Sequence, residues 1–307
     1  MFISTAFSGV IYRMVSVEIE RFARSPRFRI EDIIEGESMI DEAKSRVALS
    51  LVELNGVILI ISGTLGYILA GITLTPIQKM MEEQKRFVSD ASHEIRTPLT
   101  ALKSMLEVGL RDKKMTIKDA RGLIKESIEE SDKLKNLSDS LLELARLDGN
   151  SKKLNFEELK VSELVSEAVK NIQIKAKKKN IKIIKVTNGT KIKGNKEKIT
   201  ELLLILLDNA VKYSPDNTKI IIKAKETNNK VIIKIKDHGI GISPIDLPHI
   251  FERFYRSDSA RSHQGEGGYG LGLAIAEKIV KEHSGKISVK SVVNRGSEFK
   301  VILPIFS

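Results

Sequence analysis

The chain has 307 residues, room for two cored domains at about 150 residues each. Hydrophobic residues make up 41% and charged residues 30%, a globular composition, and the absence of cysteine excludes disulfide scaffolds, thiol nucleophiles and cysteine-ligated metals. Tryptophan is absent, and the net charge of +11 reads as general lysine usage rather than a patch. No nucleic-acid partner is therefore expected; a polyphosphate ligand or an anionic leaflet accounts for the charge as well.

Residues 1–12 are apolar but too few to span a bilayer, and they lack the basic start and cleavage site of a signal peptide. Residues 1–17 read as the tail of a first span, either shortened or lost to a late start, within a short N-terminal sensor or extracytoplasmic region, 1–53. Residues 54–74 carry no charge. These 21 residues would reach roughly 31 Å as a helix, enough to cross a membrane and contact its lipid. Ser62, Gly66 and Ala70 put small residues on one face, where a second span could pack. Thr75-Pro76 is expected to end this helix, because proline pushes its predecessor out of helical conformation.

From Ile77 to Leu110 apolar residues recur at three and four, and again from Ala120 to Leu144. A polar stretch at 111–116 separates the two runs. This pattern predicts an antiparallel helical hairpin over 76–149, whose wide apolar stripe would be buried by doubling into a dimeric four-helix bundle. A linker follows at 148–155. Over 156–307 β-branched runs alternate with helical patterns: strands at 181–186, 220–225, 231–236, 287–293 and 298–303, helices near 162–179, 196–213 and 271–282. The expected architecture is thus a transmembrane helix, a helical hairpin, and an α/β (α+β) sandwich.

Four constellations carry chemistry. His93 lies on the first hairpin helix, followed by Glu94, whose carboxylate could fix the imidazole tautomer, and by Thr97 one turn on. Pro98 removes a helical hydrogen bond there and is expected to kink the helix. His93 has no second histidine at zinc-binding spacing. Asn209, Lys212 and Tyr213 share a helix face that offers an amide oxygen, an ammonium and a ring. Asp237 ends a buried strand and could accept from an exocyclic amine, with Gly239 and Gly241 letting backbone approach a ring. Gly265 to Leu273 opens a helix, where free backbone N–H groups suit phosphate. This last run is neither a Walker A loop nor a dinucleotide fingerprint.

In this order the motifs closely resemble the sensor histidine kinases of two-component systems, over about residues 76–307. Phe87 to Leu99 is similar to the family's H box, the segment around Asn209 to its N box, and Asp237 to Gly241 to its G1 box. Phe251 to Arg256 is similar to the F box, Gly268 to Leu273 to the G2 box, and Gly296 to Phe299 to the final Gly-rich turn. The resemblance implies a HisKA-type dimerisation and phospho-acceptor hairpin followed by a GHKL-type ATPase domain with a flexible lid at 254–268. It implies autophosphorylation on His93 with ATP and Mg²⁺, then transfer to an aspartate of a response regulator receiver domain. Glu94 would be the acid/base partner of His93, and Thr97 would position water for dephosphorylating the regulator. Asn209 would hold Mg²⁺, Lys212 and Arg256 would face phosphates, and Tyr213 and Asp237 would take adenine. Gly268, Gly270, Leu271 and Gly272 would cradle the phosphates. The implied location is the cytoplasmic membrane of a prokaryote, with the kinase domains in the cytoplasm of a homodimer.

The chain departs from the family pattern at three places. Ile205 stands where a second N-box asparagine is usual, His238 where an asparagine follows the G1 aspartate, and Tyr269 where the G2 box usually has threonine or serine. Ile205 gives weight to a second reading, a degenerate kinase acting mainly as phosphatase or scaffold. A gyrase-, mismatch-repair- or chaperone-type ATPase of the same superfamily is the other rival, and the H-box hairpin argues against it.

Overall fold

The computed structural model describes residues 2–23, 32–148, 155–187, 189–257 and 268–305. Most of the predicted 148–155 linker and most of the predicted lid fall outside them. Two compact units divide the chain, residues 1–85 and 86–307.

In the first unit, α1 (Phe2–Ala23) lies antiparallel to the first part of α2 (Asp32–Arg111). Lys44 on α2 pairs with Glu20 on α1 at 2.6 Å, and Asn55 donates to Ser8 Oγ at 2.7 Å. The apolar start of the chain is thus one end of a 22-residue helix. The 54–74 stretch lies wholly within α2, which among the described residues is long and apolar enough to cross a membrane by length and composition. Gly56, Gly63, Gly66 and Gly71 meet open space. The expected break at Thr75-Pro76 does not occur: α2 runs 80 residues through both Pro76 and Pro98. Each proline deletes one hydrogen bond, a local loss that a helix continuing on both sides tolerates.

In the second unit α2 ends at Arg111 and α3 (Ile117–Asp148) returns. Thr116 and Asp119 form the reciprocal box that starts α3: Thr116 Oγ1 accepts from the Asp119 N–H, and the Asp119 carboxylate accepts from the Thr116 N–H, each at 3.2 Å. Gly109 has no side chain where Leu123 crosses the hairpin; a Cβ there would sit 2.9 Å from the leucine.

The α/β domain follows as β1 (Glu157–Lys160), α4 (Val161–Lys178), β2 (Lys182–Thr187), β3 (Lys191–Gly194), α5 (Lys196–Tyr213), β4 (Lys219–Thr227), β5 (Lys230–Lys236), α6 (Gly272–Glu282), β6 (Lys286–Val292) and β7 (Gly296–Pro304). The main sheet has the order β2-β4-β5-β7-β6, with β2–β4 parallel and the rest antiparallel. Asn228 and Asn229, both at positive φ, form the two-residue turn between β4 and β5. The short β1–β3 pair was not read from sequence: four residues leave too little alternation to detect.

One sheet face carries Ile220, Ile222, Val231, Ile233, Ile235, Phe299, Val301 and Leu303 into the core. Against it lie the apolar stripes of α4, α5 and α6; on α5 these are Ile199, Leu202, Leu203, Leu206, Leu207, Ala210 and Val211, at three- and four-residue spacing. Buried His283 ties two helix ends together. Its Nδ1–H donates to Ile279 O at 2.8 Å, so Nε2 accepts from the Asn195 N–H at 3.1 Å. Phe156 stacks on the ring at 4.9 Å, and burial holds the imidazole pKa below its ordinary value.

The hairpin stripe is divided. Leu137, Leu144 and Leu147 of α3 are buried in the core of the α/β domain, and Glu143 pairs with Lys198 of α5. Leu106, Leu110, Ile124, Ile128 and Leu142 stay exposed. The α/β domain of the same chain thus covers part of the stripe that the sequence pattern assigned to a second copy.

Candidate functional site

A cavity of about 750 Å³ opens between the C-terminal half of α5, the ends of β5 and β7, and the N-terminus of α6. Asn209, Lys212 and Tyr213 line it from α5. They sit on one face because positions three and four apart on a helix share a side. The sequence places this helix firmly: Asn195 caps its start by accepting from the Lys198 N–H at 3.0 Å. The Lys212 ammonium rests 4.6 Å from the centre of the Tyr213 ring.

Asp237 directly follows β5 and is 5% exposed. Its Oδ1 accepts from two backbone N–H groups, Gly239 at 2.8 Å and Ser297 at 3.0 Å. Burial raises its pKa, opposed by those two hydrogen bonds. The carboxylate lines the cavity, while Gly239, expected beside a ligand, is not part of the wall. Gly239 is instead packed on the end of α5, where a Cβ would lie 2.4 Å from Tyr213 O. Gly241 does line the cavity. Its φ of 71° and a Val292 oxygen 2.1 Å from its would-be Cβ leave no alternative to glycine.

Across the cavity stand Gly268, Gly270, Leu271, Gly272 and Arg256. Among the described residues no side chain caps the α6 N-terminus. Its first N–H groups and the helix dipole are therefore available to a phosphate. Gly270, at φ 74°, lets this loop pack on the F-box segment, with the Phe254 N–H donating to Gly270 O at 3.1 Å. Tyr269 lines the same wall, and burial, with Glu130 nearby, raises its hydroxyl pKa. Ile205 also lines the cavity, its Cγ2 3.3 Å from where a Gly272 Cβ would be.

His93 lies outside this cavity. It is exposed on α2 and borders a separate cavity of about 350 Å³ with Asp90, Glu94 and the F-box residues Glu252 to Tyr255. Phe87 anchors this side: its ring is 5.9 Å from that of Phe254, and the Arg253 guanidinium lies 5.0 Å from the Phe87 centroid. Among the described hydrogen bonds none joins the His93 ring to Glu94, so the tautomer-fixing contact read from sequence is not made here: adjacent helix residues do not face each other, though both border this cavity. The Thr97 hydroxyl donates to His93 O at 3.3 Å.

Several wall residues gave no sequence signal. Lys175 of α4 and Asp208 of α5 form an ion pair at 2.5 Å, and Lys133, Asn136 and Ser140 reach the cavity from α3. Only the packing of distant helices assembles them. The residues present fit ATP: an apolar slot beside a buried acceptor, then an uncapped helix start. Among the described residues no cluster of three acidic or histidine side chains forms a metal cage. A Mg²⁺ would rely on Asn209, phosphate oxygens and water.

Comparison with known proteins places both halves of this unit. Residues 83–150 match the model of the His Kinase A (phospho-acceptor) domain. Residues 194–306 match that of the histidine kinase-, DNA gyrase B- and HSP90-like ATPases. The signal transduction histidine-protein kinase ArlS of Staphylococcus haemolyticus is 37% identical over 226 residues, 74% of this chain and 50% of the relative. That of Staphylococcus aureus strain USA300 is 35% identical over 229 residues, 75% and 51%. The chain thus spans about half the length of the curated relatives it matches. Two solved structures share the fold. The Acinetobacter baumannii histidine kinase AdeS is 24% identical, with TM-score 0.58 over 70% of this chain and 98% of that one. The histidine kinase ThkA, solved in complex with the response regulator protein TrrA, is 23% identical, with TM-score 0.59 over 77% and 65%. With a phospho-acceptor hairpin and an ATPase domain joined in that order, the chain belongs to the sensor histidine kinases of two-component signal transduction.

Proposed function

We propose that the chain is a membrane-anchored kinase that phosphorylates itself on His93 from ATP and passes the phosphoryl group to an aspartate of a response regulator receiver domain. The observation that carries this reading is one compact unit holding both a cavity of about 750 Å³ lined by Asn209, Lys212, Tyr213 and Asp237 and, in its own recess, an exposed histidine on the matched phospho-acceptor hairpin. Asp237 would accept from the adenine amine, and Tyr213 would cover the ring. Lys212, Arg256 and the start of α6 would hold the phosphates, and Asn209 would hold the Mg²⁺ that offsets their charge. An imidazole nitrogen of His93 attacks the γ-phosphorus, the bond to the bridging oxygen breaks, and ADP leaves with the electron pair. His93 and the ATP cavity occupy different places, so transfer requires the α/β domain to move on the hairpin. The exposed leucines and isoleucines of α2 and α3 supply a face for a second copy. Residues 54–74 would hold the chain in the cytoplasmic membrane of a prokaryote, with the kinase domains inside.

The test is incubation of the full chain with γ-labelled ATP and Mg²⁺. A label stable in base and lost in acid, and absent from His93→Gln, is expected. Label retained in His93→Gln would overturn the assignment.

A further inference from the structure

The five-stranded sheet has a second face, turned away from the helices. Alternation and register place Lys182 on it from β2, and Lys219, Lys223 and Lys225 from β4. β5 adds Lys230, Lys234 and Lys236, β7 adds Lys300, and β6 adds Lys286 and Lys290. Among the described strand residues of this face the only carboxylate is Glu298, paired with Lys234 at 2.7 Å. Lys223, Lys234 and Lys300 are direct cross-strand neighbours. Like charges opposite one another oppose sheet formation, and a single carboxylate, Glu298, offsets only part of that repulsion.

General lysine usage does not explain the bias. Residues 156–305 contain 24 lysines and 17 acidic residues. Ten of those lysines stand on this one face, against one of the acids. Elsewhere in the domain the two signs nearly balance. Half-buried Ile221, Ile232 and Ile302 lie among the lysines, and Val186 and Val292 are exposed at the two edge strands, 45% and 57%. A flat, multiply cationic surface with apolar side chains between the charges suits a flat anionic surface carrying hydrocarbon beneath it.

We propose that this outer sheet face rests on the anionic lipid headgroups of the leaflet beside the chain's own span. The inference rests on the membrane reading above. It is favoured over a nucleic acid because a domain anchored in the same chain meets that leaflet at high effective concentration, and because the described strand residues of this face include no aromatic ring for base stacking. Contact with headgroups would restrain the α/β domain, which must move for His93 to be phosphorylated, so lipid charge would tune the kinase.

The test is lysine acetylation, read by mass spectrometry, on the full chain in nanodiscs of phosphatidylcholine alone or mixed with phosphatidylglycerol. Lys223, Lys225, Lys236 and Lys300 should label about tenfold more slowly in the anionic discs, and high salt should restore their rate. Lys170 and Lys177 on α4 serve as controls and should not change. The triple variant Lys223→Glu, Lys225→Glu, Lys236→Glu should remove the protection of Lys300. Equal labelling in both discs would overturn the proposal, as would protection by added DNA but not by lipid. Failure of the chain to co-elute with either disc would instead remove the membrane reading on which the proposal stands.

Discussion

Asp237 joins the fold to the chemistry, and two substitutions separate those roles. Asp237→Asn keeps an oxygen where Oδ1 accepts from Gly239 and Ser297. Hydrogen bonds to a charged acceptor are about twice as strong as neutral ones, so the exchange costs about 1 kcal/mol per bond, or about 2 kcal/mol in all. Against this stands relief of a buried charge, which is what raises the Asp237 pKa. The two nearly cancel, so Asp237→Asn should unfold within about 1 kcal/mol of the parent near neutral pH. Asp237→Ala orphans two buried N–H groups and should cost about 2–4 kcal/mol. The pH dependence has a definite sign. A carboxyl whose folded pKa lies above its ordinary 3.8 binds its proton more tightly in the folded state. It stabilises fully below 3.8 and loses that contribution as pH rises through the raised value. The stability of Asp237→Asn relative to the parent should therefore improve as pH rises across that window. For ATP, the added NH₂ would face the adenine amine, donor against donor. A mismatch of about 2–4 kcal/mol weakens binding by about 30- to 700-fold. Denaturant unfolding and nucleotide titration calorimetry on the same preparations provide both readouts. A folded Asp237→Asn that binds ATP like the parent would show that the carboxylate is only a clasp for the Gly239 turn.

Other expectations follow from single contacts. Thr97→Ala should keep self-labelling and lose dephosphorylation of the regulator; equal loss of both would make Thr97 structural, through its bond to His93 O. Asn209→Ala should remove Mg²⁺-dependent turnover, and Ile205→Asn should lower the Mg²⁺ concentration needed for labelling. The isoleucine packs against Gly272, so that variant should also lose about 1–2 kcal/mol of stability. Gly241→Ala must adopt a positive φ and displace a backbone oxygen, and should cost about 2 kcal/mol or more in a thermal melt. The depressed pKa of His283 means that the unfolded state binds its proton more tightly. Stability should therefore fall as pH drops below 6.5, and His283→Gln should flatten that slope.

The sequence by itself determined the elements and most of the cavity. Spacing at three and four residues over 196–213 gives a helix with Asn209, Lys212 and Tyr213 on one side, because helical periodicity is local. Asp237 and Gly241 after a strand, and Gly268, Gly270 and Gly272 at the start of α6, are equally local signals, and all of these line one cavity, whereas Gly239 does not. The tertiary structure alone decided that Gly239 packs beneath Tyr213, and that Leu137 and Leu144 are buried by the α/β domain of the same chain. It also decided that Lys133, Asn136 and Ser140 close the cavity from α3. Each of these depends on what lies opposite a residue across a gap in sequence of tens of positions. The apolar stripe of α3 reads the same whether a second copy or the neighbouring domain covers it. The ten lysines likewise look like ordinary usage along the chain, and only the pleat and register of four strand pairings gather them on one face.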